Sequence, residues 1–485
     1  MSLLTEHDWK GSIFTGEWHG GGGGTQSVVE PASGSTLAEV GLADPRDVAD
    51  AARSAAEAQK EWAATIPSER AAVLRRAGIL FQKHADEVID WVIREAGSIP
   101  AKAGIEAASA AEECFEASAL PSHPHGQVLP SNVDHWSISR RRPAGVVAVI
   151  SPFNFPLVLS IRSVAPALAL GNAVLLKPDP RTTVSGGVII ARIFEEAGLP
   201  AGVLQLLPGG ADVGAALIEA PEVRVISFTG STPAGRKVGE SAARHLKRAH
   251  LELGGNNAMI VLPGADVAKA ASAGAFGSWL HQGQICMTTG RHLVHESLYE
   301  EYVALLAEKA SHLPVGDPAS GQVALGPIID SRQLERIDGI VQRTVAQGGT
   351  LAAGGTHEGL FYKPTVLSGL TPEMEAWSEE IFGPVAPVIP FSTLDEAVDI
   401  VSRSPFALSL SILGDVGQAM TLADRIDSGK IHINEQTVAD EANAPFGGAG
   451  DSGTGSRFGG AEANIEAFTE TQWLTVRSEI APYPF

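Results

Sequence analysis

Three nearly unbroken apolar runs constrain this chain more than any other feature: Gly145-Val146-Val147-Ala148-Val149-Ile150-Ser151-Pro152, Ala173-Val174-Leu175-Leu176-Lys177-Pro178 and Val223-Arg224-Val225-Ile226-Ser227-Phe228-Thr229-Gly230-Ser231. Runs of this kind, lacking the polar alternation of a half-exposed strand, fit parallel strands buried on both faces. Helical patterns are interleaved with them: a helix is predicted over residues 183–197, another over 213–219 after the strand-like Val203-Leu204-Gln205-Leu206-Leu207-Pro208, and a third from Pro233 onward. This alternation is the signature of an α/β architecture. Open α/β sheets bind ligands at the carboxyl ends of their strands, where Ser151 to Asn154, Lys177 and Gly230-Ser231 would converge.

Upstream, residues 47–64 read as an alanine-rich amphipathic helix and 68–97 as a second long one, with apolar residues three and four apart. The pentaglycine at 20–24 reads as a flexible hairpin tip or linker. Trp136 to Arg142 and Thr471 to Arg477 alternate like edge strands. A chain of 485 residues exceeds what one core usually serves, so two or three domains are expected.

A formal charge of -21, from 35 Lys and Arg against 56 Asp and Glu, argues against a nucleic-acid or anionic-membrane partner. It does not exclude an anionic cofactor, because backbone amides bind phosphate locally. Two cysteines make no disulfide framework, and no His/Cys cluster has zinc-like spacing; His123 and His125, with Pro124 between them, read as a loop. The stretch Met1-Ser2-Leu3-Leu4-Thr5-Glu6 lacks the basic and apolar regions of a signal peptide, and the longest apolar run, 164–176, is too short to span a bilayer. A cytoplasmic location and no metal are expected.

Of the two cysteines, Cys114 sits in a strongly helical stretch and reads as a buried small hydrophobe. Cys286 differs. It lies 34 residues after Glu252, in Gln282-Gly283-Gln284-Ile285-Cys286, with Thr288, Thr289 and Gly290 just beyond, a composition that reads as an exposed turn. A thiolate there can attack a carbonyl, and a carboxylate can activate water to release what was captured. The turn Gly230-Ser231-Thr232-Pro233-Ala234-Gly235 lacks the G-x-G-x-x-G fingerprint, but Ser231 and the following helix start can meet a pyrophosphate.

Ser151-Pro152-Phe153-Asn154-Phe155-Pro156, Lys177-Pro178, Phe228-Thr229-Gly230-Ser231, Glu252-Leu253-Gly254-Gly255, Gly283-Gln284-Ile285-Cys286, Glu380-Ile381-Phe382-Gly383-Pro384 and Pro445-Phe446-Gly447-Gly448 stand in the order and spacing of the aldehyde dehydrogenase superfamily. The resemblance runs over nearly the whole chain. It implies a Rossmann-like cofactor domain (1–124 and 143–252), a catalytic domain carrying the cysteine (253–465) and a small β oligomerisation arm (125–142 and 466–485). It also implies a homodimer or dimer of dimers, with Asn434 and the glycines of 447–460 forming a connection near the active site.

In this resemblance Cys286 is the nucleophile, forming a thiohemiacetal and then a thioester. Asn154 and the Cys286 backbone N–H would donate to the oxyanion, and loss of one such donor costs about 3–4 kcal/mol of barrier. Glu252 resembles the base that activates water; because the CoA-acylating branch typically lacks it, a free acid is the expected product. The dinucleotide would meet Ser151, Pro152, Phe153, Gly230, Ser231 and Leu253, with Lys177 on the adenosine ribose, Glu380 on the nicotinamide ribose and Phe382 near the nicotinamide. One departure concerns the cofactor. Many NAD-specific members carry an acidic residue three positions after the lysine, where this chain has Pro180 followed by Arg181. NAD is the expected cofactor, with NADP a possible second.

Residues 154–166 are similar to the branch oxidising aromatic aldehydes, the benzaldehyde and vanillin dehydrogenases. Leu159, Arg162, Trp279, Ile285, Met287 and Phe446 are then candidates for the substrate pocket, with core packing the alternative for Leu159 and Trp279. Arg162 either meets a polar substituent or pairs with an acidic neighbour, so a succinic-semialdehyde-type or other aliphatic substrate stays open. Two other classes stay in view. A thioesterase would leave Lys177, Glu380 and the Gly230-Ser231 turn unexplained, and a catalytically silent scaffold would be expected to have lost Cys286 or Glu252.

Overall fold

In the computed structural model, which describes residues 2–4 and 9–485, the apolar runs become the strands Val146–Ile150, Ala173–Lys177 and Val223–Thr229. Residues 1 and 5–8, part of the stretch read above for a targeting signal, lie outside the described residues. All five side chains of Val146–Ile150 and of Ala173–Lys177 are buried, as strands covered on both faces require.

These strands form the middle of a seven-stranded sheet. Its spatial order is Arg248–Glu252, Val223–Thr229, Val146–Ile150, Ala173–Lys177, Leu204–Leu206, Ile13–Phe14 and Trp18–His19. The first five are parallel; the last two add on antiparallel. Chain order reverses on either side of Val146–Ile150, which opens a crevice at the carboxyl ends. Ile150 is level with Lys177 on one side and Phe228 on the other, and Thr229 is level with Glu252, so four strands deliver side chains to one rim.

A second sheet faces the crevice from the other half of the chain: Thr350–Ala353, Thr365–Ser368, Val385–Phe391, Thr289–His295, Asn257–Val261, Ser409–Leu413 and Lys430–Ile433. All its neighbours are parallel except the first pair. Cys286 lies just before the strand Thr289–His295, and Glu252 ends the last strand of the first sheet. A third, antiparallel sheet joins Gly126–Leu129, Trp136–Pro143 and Thr469–Val476, and exposes Val128, Trp136 and Trp473.

Four readings of local structure need correction. The segment 68–97 is two helices, Pro67–Lys83 and Ala85–Ala96. His84 takes φ −104°, ψ 18° between them, a one-residue break that apolar spacing does not register. The segment 183–197 is not one helix: a 3₁₀ turn at Pro180–Thr182 and a π turn at Val184–Val188 precede the helix Ile189–Glu196. Gly186 and Gly187 lie in the π turn because the neighbours are close; a Cβ on Gly187 would come within 2.6 Å of Leu206 Cδ1.

The pentaglycine is no loose linker. Cβ atoms at Gly21, Gly22 and Gly23 would lie 2.2, 2.6 and 2.5 Å from Leu42 O, Asp44 Oδ2 and Ala43 O, and the Gly22 N–H donates to Asp47 at 2.7 Å, so glycine serves close backbone crossing there. The segment carrying Cys286 is a loop, as its composition indicates, but Gly283, Thr288 and Thr289 are buried rather than exposed.

Candidate active site

A buried loop needs its polar groups paired; here Gln282 and Gln284 tie it to neighbouring backbone and Asn257 caps two of its carbonyls. The Gln282 amide donates to the carbonyls of Gly97 and Pro327 at 2.9 and 2.8 Å, and Gln284 Oε1 accepts the Ile329 N–H at 3.1 Å. Asn257 Nδ2 donates to the carbonyls of Cys286 and Thr288, both at 2.8 Å. His281 and Gln282 adopt positive φ (49° and 57°), and Gly283 (φ 67°) packs where a Cβ would meet Gly383 O at 2.1 Å. The cysteine is held by its neighbours, leaving the thiol free.

Cys286 stands at the junction of two cavities. One, of about 250 Å³, is mostly apolar, with Phe155, Val158, Leu159, Phe276, Leu280, Ile285, Met287 and Phe446 in its wall. The other, of about 620 Å³, is the crevice of the first sheet. Asn154, Leu159 and Cys286 line both. A small molecule in the first cavity and an extended one in the second would meet at the thiol.

Asn154 is positioned by charges that sequence reading missed. In the helix Pro100–Ala119, fully buried Lys102 pairs with Glu106, and its ammonium donates to the Asn154 carbonyl at 2.8 Å. Glu106 Oε2 accepts the N–H groups of Leu157 and Val158 (3.1 and 3.3 Å) at the start of the helix Pro156–Ala169, where a carboxylate complements the helix dipole. Lys102, Ile105, Ser109 and Glu113 all line the small cavity. Their three- and four-residue spacing puts them on one helix face, a signal the sequence did contain.

Glu252 is buried and lines neither cavity directly. Its Oε2 accepts the Gly448 N–H at 3.1 Å, from the glycine-rich segment expected near the site, while Oε1 has no partner among the described residues. Burial raises its pKa well above the usual carboxylate range, against the pull of the Gly448 N–H and of Arg457, Arg162 and Lys430. The Cys286 thiol is partly accessible from the cavities yet enclosed enough that burial, with help from Glu380, Glu252 and Asp440 and against Lys430, pushes it up to about 12. Burial thus disfavours the charged form of both groups, and the thiol must lose its proton as it attacks.

The crevice collects the remaining expected residues. Ser151, Pro152, Phe153, Lys177, Gly230, Ser231, Leu253, Glu380 and Phe382 all line it. Ser151 N–H donates to the Lys177 carbonyl at 3.1 Å, and its hydroxyl meets Ser160 Oγ at 2.6 Å. Ser231 is the N-cap of the helix Thr232–Arg244, but its side chain makes no capping bond among the described residues, so the first amides are available to an anion. Glu380 Oε1 accepts the Gly255 N–H at 2.9 Å, and burial lifts its carboxyl to about 7. Phe382 (φ 55°) meets the Phe153 ring edge-on at 5.9 Å. The switch-point crevice, uncapped helix start and the polar side chains of Lys177 and Glu380 in its wall fit a dinucleotide.

Arg181, the residue that raised the cofactor question, is engaged. It bonds Asp179 (2.8 and 2.9 Å) and Asp330 (2.6 Å) and lies 4.2 Å from the Phe153 ring centre.

Two pocket candidates come out differently from the rest. Trp279 does not line the cavity; it packs in the core with Met259, Val261, Tyr302 and Leu306. Phe276 and Leu280, four apart, share the cavity-facing side that Trp279 misses. Arg162 is on the wall, but buried and bound to Asp440 at 2.5 Å and Glu113 at 3.4 Å, with Phe446 stacked 4.5 Å away. Burial works against its charge, and the two carboxylates outweigh that and raise its pKa. Arg162 therefore pairs with acidic neighbours, the second of the two expected roles. Among the described residues no group of side chains could hold a metal ion, and no helix is long and apolar enough to cross a membrane.

The chain matches the aldehyde dehydrogenase family over residues 18–474, and it belongs to that family. It is 65% identical over 486 residues to a vanillin dehydrogenase of Amycolatopsis, covering 100% of both chains. It is 47% identical to a benzaldehyde dehydrogenase [NAD(+)] of Pseudomonas putida, with 98% of each covered. Among solved structures, a salicylaldehyde dehydrogenase from Pseudomonas putida complexed with salicylaldehyde superposes with a TM-score of 0.94 at 35% identity, covering 98% of this chain and 99% of that one.

Proposed function

We propose that this protein oxidises aromatic aldehydes of the benzaldehyde and vanillin type to their carboxylic acids, using NAD. The observation that carries this reading is the apolar cavity of about 250 Å³ opening onto Cys286 beside the dinucleotide crevice. Its aromatic and aliphatic wall suits a ring more than a short charged chain, and Arg162, already neutralised by Asp440 and Glu113, is no free clamp for a semialdehyde carboxylate. The names of the vanillin and benzaldehyde dehydrogenase relatives support the same class.

Cys286 Sγ attacks the aldehyde carbon as its proton is passed to solvent water, giving a thiohemiacetal. The Asn154 side-chain amide, fixed through its backbone by Lys102, donates to the oxyanion together with the Cys286 backbone N–H. Glu380 and Phe382 would hold the nicotinamide, which would accept the hydride when bound. Glu252 then exchanges its Gly448 bond for a water, takes a proton from it, and the resulting hydroxide cleaves the thioester to the free acid and the Cys286 thiol.

NAD is favoured over NADP because Arg181 is committed to two aspartates and offers no unpaired charge to a 2′-phosphate. The test is absorbance of the reduced nicotinamide with NAD and NADP in parallel, over benzaldehyde, vanillin, short aliphatic aldehydes and succinic semialdehyde. The expected result is the highest kcat/KM with an aromatic aldehyde and NAD; preference for the semialdehyde would overturn the substrate class.

A cytoplasmic setting suits a site that needs a reduced thiol. The sheet exposing Trp136 and Trp473 is proposed as the arm through which copies pair into a homodimer or dimer of dimers. Sedimentation of the protein as a monomer at micromolar concentration would contradict that pairing.

A further inference from the structure

Lys430 begins the edge strand Lys430–Ile433 of the second sheet and turns its side chain inward, 9% exposed. The ammonium donates to the Ala439 carbonyl at 2.7 Å and touches Met287 Sδ, the residue next to Cys286, at 2.7 Å. It also lies 4.7 Å from the Phe446 ring centre, two residues before the Gly448 that holds Glu252. Its charge therefore sits between the segment carrying the thiol and the segment holding the carboxylate.

Burial lowers the pKa of this ammonium, and the nearest carboxylate, Asp440, opposes that as an ion pair without a hydrogen bond. Asp440 Oδ1 is 3.8 Å away, beyond hydrogen-bond distance, and Asp440 Oδ2 is taken by Arg162 at 2.5 Å. Glu113, the other acid on Arg162, is lifted to about 7 by burial against the pull of Arg162. Two buried cations, Arg162 and Lys430, thus share the carboxylate of Asp440.

We propose that Lys430 is a positioning residue of the reaction: its buried ammonium stabilises negative charge as it forms on Cys286 Sγ and on the Glu252 carboxylate. The proposal rests on the reading of these two as the reacting pair. The other charges facing the group are accounted for. Cys286 also faces the carboxylates of Glu380, Glu252 and Asp440, which oppose a thiolate, and Glu252 also faces Arg457 and Arg162. His432, two residues along the same strand, has its pKa lowered by burial and by Lys430 itself, against Glu435 and Asp440. Among the charged neighbours that act on the thiol, Lys430 is the cation.

The test is Lys430→Met, which keeps the aliphatic stem and removes the charge, in the full-length protein. Two pH profiles are read: kcat/KM for benzaldehyde with NAD, and the rate of alkylation by iodoacetamide without aldehyde, with the modified residue mapped by mass spectrometry. The expected result is a shift of both profiles to higher pH by about one unit, seen as an about tenfold slower alkylation on the rising limb. Lys430→Arg is expected to restore both, which loss of packing alone would not produce. If Lys430→Met does not fold, Lys430→Gln, which can still donate to Ala439, is read in the same way. Profiles that superimpose on the wild type, with Cys286 as the residue alkylated, overturn this proposal alone. Alkylation elsewhere with activity lost or kept independently of Cys286 overturns the reacting pair and the proposal with it.

Discussion

Cys286→Ala is expected to lower aldehyde-dependent reduction of the nicotinamide by at least about 10⁴-fold, the scale on which removing a covalent nucleophile acts. Without Sγ no tetrahedral adduct forms, and a bound planar aldehyde is a poor hydride donor. The fold should be nearly indifferent to the change. The loop is fixed by Gln282, Gln284 and Asn257 through bonds to backbone groups, none of which involves the thiol. Steady-state rates and a thermal melt on the same preparation check this: activity lost with the melting temperature kept is the expected pair, and residual activity well above background would transfer the nucleophile elsewhere.

Glu252→Gln is expected to separate the two halves of the reaction. The first turnover still reduces the nicotinamide, whereas acid release slows by about 10² to 10⁴-fold, the usual contribution of a positioned general base. A burst of one equivalent followed by a slow phase is the signature. The same variant carries a stability prediction. Burial raises the folded-state pKa of Glu252 above its unfolded value, so the folded protein binds that proton more tightly than the unfolded chain. Its contribution is complete below the ordinary carboxylate range and is lost as pH rises from there through the raised value. Glutamine cannot ionise, so the variant should lose less melting temperature than the wild type over that interval, read in parallel pH-dependent melts.

The sheet and the residues proposed to react were legible in the sequence for a common reason: both are local. An apolar run such as Val146–Ile150 announces a strand buried on both faces, and the motifs around Asn154, Glu252 and Cys286 sit on the strand ends and loops that the alternation of elements predicts. What stayed hidden depends on partners distant in the chain. Lys102 serves Asn154 from 52 positions away, and Asp440 reaches Arg162 across 278. No spacing rule ties such residues together.

Trp279 shows the opposite error. The resemblance to the aromatic-aldehyde branch made it a candidate for the pocket wall, with core packing the alternative; a helical residue faces where its rotation about the axis puts it, and that direction is the core beside Tyr302. The π turn at Val184–Val188 was invisible because a widened turn and an α-turn share the same apolar spacing; Glu95, accepting from the N–H groups of Val184 and Ser185 at 2.8 and 2.6 Å, helps to hold it.

The account centres on an aroyl thioester on Cys286 that awaits Glu252. The most direct measurement is intact and peptide mass spectrometry of Glu252→Gln quenched in acid after one turnover with benzaldehyde and NAD. The account predicts a benzoyl group on the peptide containing Cys286, with none on the peptide containing Cys114, and removal of the adduct by hydroxylamine. An unmodified Cys286 after a full equivalent of reduced nicotinamide would contradict it.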